Sequence, residues 1–320
     1  MISTEEFKDM IVTRTGLVYV SLIALVVLSG ILVPGSVTRY SIPVTLRRTG
    51  ILGMVAIGQT FVLLAGGTKT GVGLDLSVGA LVFNTLVIGS TLLILGFSGI
   101  TVVVICLIAG VAWGSLNGFV STKLKVPPMV TTWTVSLILM GVARLLGNAR
   151  PAPDFMRNIA RGRLALGIVD IPYSFIALIV VTGLGYFLLQ RTAYGRRIYA
   201  KSDNISAARV AGIKTDQLTF SIYIISSVLA VIAAFFAWGN QASPTMAFTD
   251  IYTFPSLAGA IIGGTGFGTG RGGVIGAVGG AFIMRFMFSI LARLGADIAQ
   301  QSILQGAILL AIVTVYALKR

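Results

Sequence analysis

An all-α protein that crosses a membrane about ten times, some crossings short or broken, is the architecture this sequence predicts. Three observations predict it. Charged residues make up 11% and hydrophobic residues 56% of the 320, whereas a soluble domain carries roughly 25% charged residues. About ten apolar runs follow one another, each near the ~20 residues that the hydrocarbon thickness of a bilayer demands of a helix. The glycines, 39 in all, crowd two stretches where a continuous helix is expected to fail, Gly66–Ala80 and Gly263–Gly273. A single membrane domain is therefore expected over 1–320, with no room for a sizeable soluble one.

The runs are taken in order. Met1–Asp9 is polar and partly acidic, and Leu17–Val33 lacks a small-residue cleavage site, so it reads as a retained first span. Pro34–Thr49, with Arg39, Arg47 and Arg48, reads as a polar break, and Ile51–Gly66 as a slightly short second span. Leu76–Leu95 and Ile100–Val120 follow, joined by a tight turn at Gly96–Gly99. Lys123, Lys125, Pro127 and Pro128 mark a boundary before Met129–Leu146. An Arg- and Pro-rich connection, Gly147–Pro172, leads to Tyr173–Leu189. Gln217–Gly239, a short piece Phe254–Ile262, Val274–Leu294 and Ile298–Leu318 complete the set.

Between two of these spans lies the longest polar run, Thr192–Thr215, with Arg196, Arg197, Lys201, Arg209 and Lys214 against Asp203 alone. Asn204 is suited to an N-cap, Ala207, Ala208 and Ala211 to a helix, and Gly212 to its stop. The expectation is a short helix outside the bilayer. It either sets topology as a basic cytoplasmic loop or fits a partner's groove. With this loop cytoplasmic, Lys123, Lys125, Lys319 and Arg320 fall on the same side. Arg144, Arg150, Arg157, Arg161 and Arg163 then lie outside, against Asp154 and Asp170, which runs counter to the positive-inside tendency. A docking face for an acidic soluble protein would account for Arg150, Arg157, Arg161 and Arg163; a span count off by one is the other account.

Two spans carry glycine every fourth residue, Gly110–Gly114–Gly118 and Gly272–Gly276–Gly280. That spacing lines one helix face and predicts close helix packing inside the subunit. Asp75 stands out more. A charge at mid-bilayer costs roughly 2.5–3.5 kcal/mol on insertion scales, so this carboxylate is expected either to cap the following helix or to line a polar path with Gln59, Ser77 and Asn84. Asn84 lies seven residues after Ser77, on roughly the same helix face. Arg285, deep in its span, is expected to snorkel or to face a cavity or partner.

Several classes are set aside. The net charge of +14 is scattered between apolar runs and forms no basic face for nucleic acid; anionic lipid and acidic partners suit it better. With no His and the single Cys106 inside an apolar run, neither a Cys/His zinc site nor a disulfide within the chain is available. Gly268, Gly270 and Gly273 satisfy G-x-G-x-x-G, but no strand–helix unit surrounds them, and no G-x-x-x-x-G-K-[ST] loop exists. Catalysis, cofactor binding and ATP binding are not expected of this chain.

Four blocks in one order carry a resemblance: GQTFVLLAGG (Gly58–Gly67) with GLDLSVGA (Gly73–Ala80), GSLNGFVSTKLKVPPMVTTWT (Gly114–Thr134), TAYGRRIYAKSDNISAARVAGI (Thr192–Ile213) and LAGAIIGGTGFGTGRGGVIGAVGGA (Leu257–Ala281). Together they resemble the ribose-type permeases of ATP-binding-cassette (ABC) importers, within the branched-chain amino acid/ribose permease superfamily. The resemblance implies a type II-like permease in a bacterial inner membrane, paired with a second permease, homo- or heteromeric. It further implies separate ATPase subunits, which bind ATP and Mg, and a periplasmic or lipid-anchored solute-binding protein. Tyr194, Gly195, Arg196, Arg197, Asn204, Ala207, Ala208 and Gly212 would then form the loop that couples to the ATPase. The sequence departs from the family in the stretched GGTKTGVGLDLSVG, which adds Lys69, and in Phe288, Ser289 and Ile290 where relatives often carry Asn-Asn-Gly. A monosaccharide or related small polar solute is implied, with a nucleoside-type solute or an ion-coupled secondary transporter as the alternatives.

Overall fold

A computed structural model of the chain describes residues 4–66, 73–147, 149–165, 170–240, 246, 248–266 and 270–318. Its elements are α1 (Thr4–Leu32), α2 (Ser41–Leu64), α3 (Val78–Ile94), α4 (Gly99–Thr122), α5 (Pro128–Leu146), α6 (Asp154–Arg161), β1 (Arg163–Ala165), β2 (Asp170–Pro172), α7 (Tyr173–Arg191), α8 (Ala193–Asp203), α9 (Ile205–Val210), α10 (Thr215–Asn240), α11 (Phe248–Ile262), α12 (Val274–Arg293) and α13 (Ile298–Leu318). Six of them, α1, α4, α5, α7, α10 and α12, are long and apolar enough to cross a bilayer, and α3 is a shorter apolar helix. The expected all-α polytopic architecture is what is observed. Lys69, Gly268, Lys319 and Arg320 lie outside the described residues.

Two helices make the centre. α2 packs against α7, α10, α11 and α12, and α10 against α2, α3 and α4. Every residue of α2 from Thr49 to Leu64 is buried, as an all-round apolar helix in a protein interior should be. α1 is the opposite case: Leu17, Ile23, Ile31 and Leu32 are exposed, an outward apolar face suited to lipid. The glycine stripes act as the spacing predicts. A methyl at Gly114 would meet the Ile224 Cα at 2.8 Å and one at Gly118 the Phe220 Cα at 2.9 Å, so α4 lies directly on the α10 backbone. Gly276 and Gly280 press in the same way on Gly263 and Gly259 at the α11–α12 seam.

Several boundaries differ from the sequence expectation: α1 already starts at Thr4 and α11 at Phe248, ahead of the apolar runs from Leu17 and Phe254, and three further differences bear on the site. The break Pro34–Thr49 is shorter, because α2 already begins at Ser41. Thr38 and Ser41 exchange backbone-to-hydroxyl bonds at 2.8 and 3.1 Å, a reciprocal cap, and Pro43 suits a first helical turn. Arg47 is thus helical, and it reaches the Arg161 carbonyl at 3.2 Å. The connection Gly147–Pro172 is not irregular throughout, since it holds α6 and the β1–β2 hairpin, with Leu164 opposite Ile171. The polar run holds two helices, α8 and α9, rather than one.

The bundle has two distinct ends. α6 and the hairpin sit at one, where Gly239 at the close of α10 packs on Met156 and Ala160. α8 and α9 sit at the other, where Gly66 just after α2 packs on Ser202. α7 spans the distance between them, about 28 Å at 1.5 Å per residue.

Candidate functional site

Between those ends, about 10 Å from the α8–α9 end by the rise of α2, the chain from Gly73 to Ser77 runs without helix and buried, before α3 starts at Val78. Irregular backbone at membrane depth survives only where protein satisfies its polar groups, and here side chains do so, Gln59 and Thr132 foremost, with the Tyr223 hydroxyl 3.5 Å from the Leu74 carbonyl. Gln59 of α2 donates to the Asp75 carbonyl at 2.5 Å and accepts from the Asp75 amide at 3.4 Å. Thr132 of α5 donates to the Leu74 carbonyl at 3.2 Å and accepts from the Leu76 amide at 3.1 Å.

The Asp75 carboxylate has no solvent exposure. One oxygen accepts from the Ser77 amide at 3.1 Å and the Ser77 hydroxyl at 2.6 Å; the other accepts from the Ser226 hydroxyl of α10 at 2.7 Å. Asp75 thus holds the turn before α3 through the Ser77 amide rather than capping the helix, whose N-cap is Ser77 with no side-chain cap bond, and it joins a polar cluster. A methyl at Gly58 would meet the Ser226 Cα at 3.1 Å, so a bare glycine sets how near α10 comes. Ser226 lies eleven residues into α10 from Thr215, about 16 Å from that end.

Gln59, Asp75 and Ser77 are thus brought together. Asn84 is not: its amide donates to the Leu139 carbonyl of α5 at 2.9 Å, a turn and more away from Ser77. In its place Asn117 of α4 donates to the Ser77 hydroxyl at 2.9 Å. Asn117 Oδ1, beside this group, is buried without a protein partner, as are Asn84 Oδ1, Ser121 Oγ, Ser227 Oγ and Thr249 Oγ1 elsewhere in the described interior. They come from α3, α4, α10 and α11. α11 also meets α3 at this depth, where Gly79 packs on the Thr249 carbonyl and the Thr253 hydroxyl. Ser226, Asn117 and Thr132 escaped the sequence reading; each lies in an apolar run with no spacing to mark it.

At the α8–α9 end, Asn204 caps α9 as expected, accepting from the Ser206 and Ala207 amides at 3.0 Å each. Gly212 follows with φ of +80°, a left-handed stop. Arg196, Arg197, Ala207 and Gly212 face outward, and Tyr194 is half-buried with its hydroxyl 2.7 Å from that of Ser221. Gly195 and Ala208 instead turn inward: Gly195 packs on the Leu189 carbonyl, and Ala208 is 4% exposed. The outermost apolar side chain of α9 is Val210, 91% exposed. Lys201, expected as one more solvated base, is buried, and desolvation holds its ammonium down at about 7 despite the nearby Asp216.

At the other end the basic surface is partly neutralised. Arg157 pairs with Asp154, and Arg163 with Asp170 at 2.6 Å. Arg161 donates to the Gly239 carbonyl at 3.1 Å, while Arg150 is exposed. Arg285 neither snorkels freely nor lies open; it bonds the Ile251 carbonyl at 3.2 Å and stacks 5.2 Å from the Tyr252 ring centre.

A polytopic bundle with a buried carboxylate in a broken helix suits a solute permease, and the comparisons agree. Residues 41–313 match the family described as "Branched-chain amino acid transport system / permease component". The chain belongs to this family. The permease is 27% identical over 293 residues to the ribose import permease protein RbsC of Bacillus subtilis, spanning 91% of this chain and 89% of that one. It is 26% identical over 287 residues to the fructose import permease protein FrcC of Rhizobium meliloti, spanning 87% and 78%. With the inner membrane ABC transporter permease protein YjfF of Escherichia coli it shares 30% identity over 263 residues, 78% and 75% of the two chains. No solved structure matches it. The permease is a multi-pass membrane transport subunit.

Proposed function

We propose that this permease forms the translocation path of an ATP-driven importer for a monosaccharide or related small polar solute, in a bacterial inner membrane. The observation that carries this reading is the Asp75 cluster. A buried carboxylate anchors a non-helical segment inside the bundle, and hydroxyls and amides of Gln59, Ser77, Asn117 and Ser226 gather at it. Asn117 Oδ1 beside it and further buried polar atoms of α3, α4, α10 and α11 have hydrogen-bonding capacity unfilled. Unfilled donors and acceptors are costly in a bilayer core unless something pairs with them. A hydroxyl-rich solute passing between α3, α4, α10 and α11 would do so. The names of the relatives, ribose and fructose import permeases among them, point to the same solute class.

Transport by alternating access then needs the cluster to open to one face at a time. In this reading two ATPase subunits, holding ATP and Mg, bind the α8–α9 end through Arg196, Arg197, Asn204, Ala207 and Gly212. Tyr194, Gly195 and Ala208 keep that surface seated on the bundle. A second permease copy or relative completes the membrane unit. A solute-binding protein docks at the α6 end, with Arg150, Arg161 and Arg163 its exposed cations and the less exposed Arg157, paired with Asp154, serving more to shape the surface.

The test is uptake of labelled D-ribose, D-fructose and D-galactose by the full complex in proteoliposomes. ATP-dependent accumulation of one of these, with KM raised by Asn117→Leu or Ser227→Val, is the expected result. Accumulation of none of them, or accumulation with an unchanged KM in both variants, would overturn the reading.

A further inference from the structure

Lys201 reads from the sequence as one base among several, yet it is 3% exposed. Its ammonium donates to the Ala65 carbonyl at 2.8 Å and to the Thr219 hydroxyl at 2.6 Å. Ala65 ends α2, where the last carbonyls lack partners within the helix and the dipole favours a cation. Thr219 lies in the second turn of α10. One side chain of α8 therefore grips the near ends of both central helices.

Those same helices hold the Asp75 segment. Gln59 precedes Ala65 by six residues on α2, and Ser226 follows Thr219 by seven on α10. The helical rise puts each about 10 Å deeper than the Lys201 contact. Both intervening stretches are regular helix, wholly buried on the α2 side, and so transmit displacement rather than absorb it. Beside Lys201 a cleft of about 300 Å³, lined by Gly66, Ser202 and Ile205 among others, leaves α8 and α9 room to shift. Asp216 of α10 and Arg209 of α9 are the charged groups that act on the ammonium, and they are bonded to each other at 3.0 Å.

We infer that Lys201 is the positioning residue that carries movement of α8 and α9 into the Asp75 segment, by tying α8 to the α2 terminus and the α10 start. The inference rests on the functional reading above, and the experiment separates the two. The whole complex is reconstituted, and labelled D-ribose, D-fructose or D-galactose accumulated is measured per ATP hydrolysed. Lys201→Met is expected to lower that ratio about tenfold, the scale of losing a charge-assisted hydrogen bond. Lys201→Arg, which keeps cation and donors, restores most of it. Thr219→Val, which removes one acceptor and leaves the lysine, lowers it in the same direction and decides the matter where Lys201→Met fails to fold. A purely structural role would depress yield, hydrolysis and uptake together and leave the ratio unchanged, which overturns the inference alone. A wild-type complex that moves no sugar with ATP overturns the functional reading and this inference with it.

Discussion

Asp75 shows how a single carboxylate can be both structural and poised. Its oxygens accept three bonds from two serines, while its backbone is held by Gln59. Asp75→Asn leaves at least one of those donors facing an amide nitrogen, so a loss of about 1–3 kcal/mol is expected. Thermal melting of the detergent-solubilised protein checks this, and an unchanged melting point would contradict it. Lys201 yields a pH prediction. Its native value near 7 lies below the ordinary 10.5, chiefly through desolvation. Between those values the unfolded chain binds more protons than the folded one, so stability rises with pH across that window and is level below it. The melting point of wild type should therefore climb from pH 7 to pH 9 relative to Lys201→Met; parallel curves would contradict the assignment. Asp75 was legible in the sequence because a charge in an apolar run is costly wherever it sits. Ser226, Asn117 and Thr132 were not. Span hydroxyls mostly bond their own helix, as Thr60 does with the Ala56 carbonyl and Thr85 with that of Leu81, so nothing in their spacing separates the exceptions. Lys201 was misread for a related reason: only the arrival of α2 from over a hundred residues away makes that position an interior one.

At the scale of elements, the glycine stripes are the clearest link from spacing to packing. A four-residue period needs no knowledge of the partner helix to announce a close approach. Gly114→Leu should disrupt the α4–α10 seam by more than the ~1–3 kcal/mol of ordinary overpacking, because the obstacle is backbone. A methyl at Gly183, which is exposed, would meet nothing within 4 Å, so Gly183→Leu should be nearly silent; equal melting points for the two variants would contradict the seam. α9 makes a second prediction of this size. Its outward face is Ala207 and Val210, whereas Ala208 is turned in. Ala207→Arg and Val210→Asp should abolish co-purification of the ATPase at normal permease yield, while Ala208→Arg should reduce the yield itself. Retention of the ATPase by both outward variants would remove α9 from that contact. The start of α2 was misjudged because Arg47 and Arg48 look like loop residues, while the Thr38–Ser41 cap that starts the helix early is a polar signal inside a polar stretch.

Across the whole molecule, α2 and α10 form a central pair running end to end, with the Asp75 segment between them and Lys201 at one terminus. The scattered net charge of +14 makes sense against that layout. Pairing of Arg157 with Asp154 and Arg163 with Asp170 trims the net charge at the α6 end, but the positive-inside tendency counts Lys and Arg rather than net charge, so the arginine excess there still runs counter to it. The sequence holds no G-x-x-x-x-G-K-[ST] phosphate-binding loop, and in the proposed reading a companion ATPase supplies the work of concentrating a solute. Reconstitution of the purified chain by itself, under an imposed proton or sodium gradient and then with its ATPase, binding protein and ATP, tests this most directly. The account predicts no accumulation of labelled sugar in the first case and accumulation in the second. Concentrative uptake by the chain without any nucleotide-binding partner would contradict it.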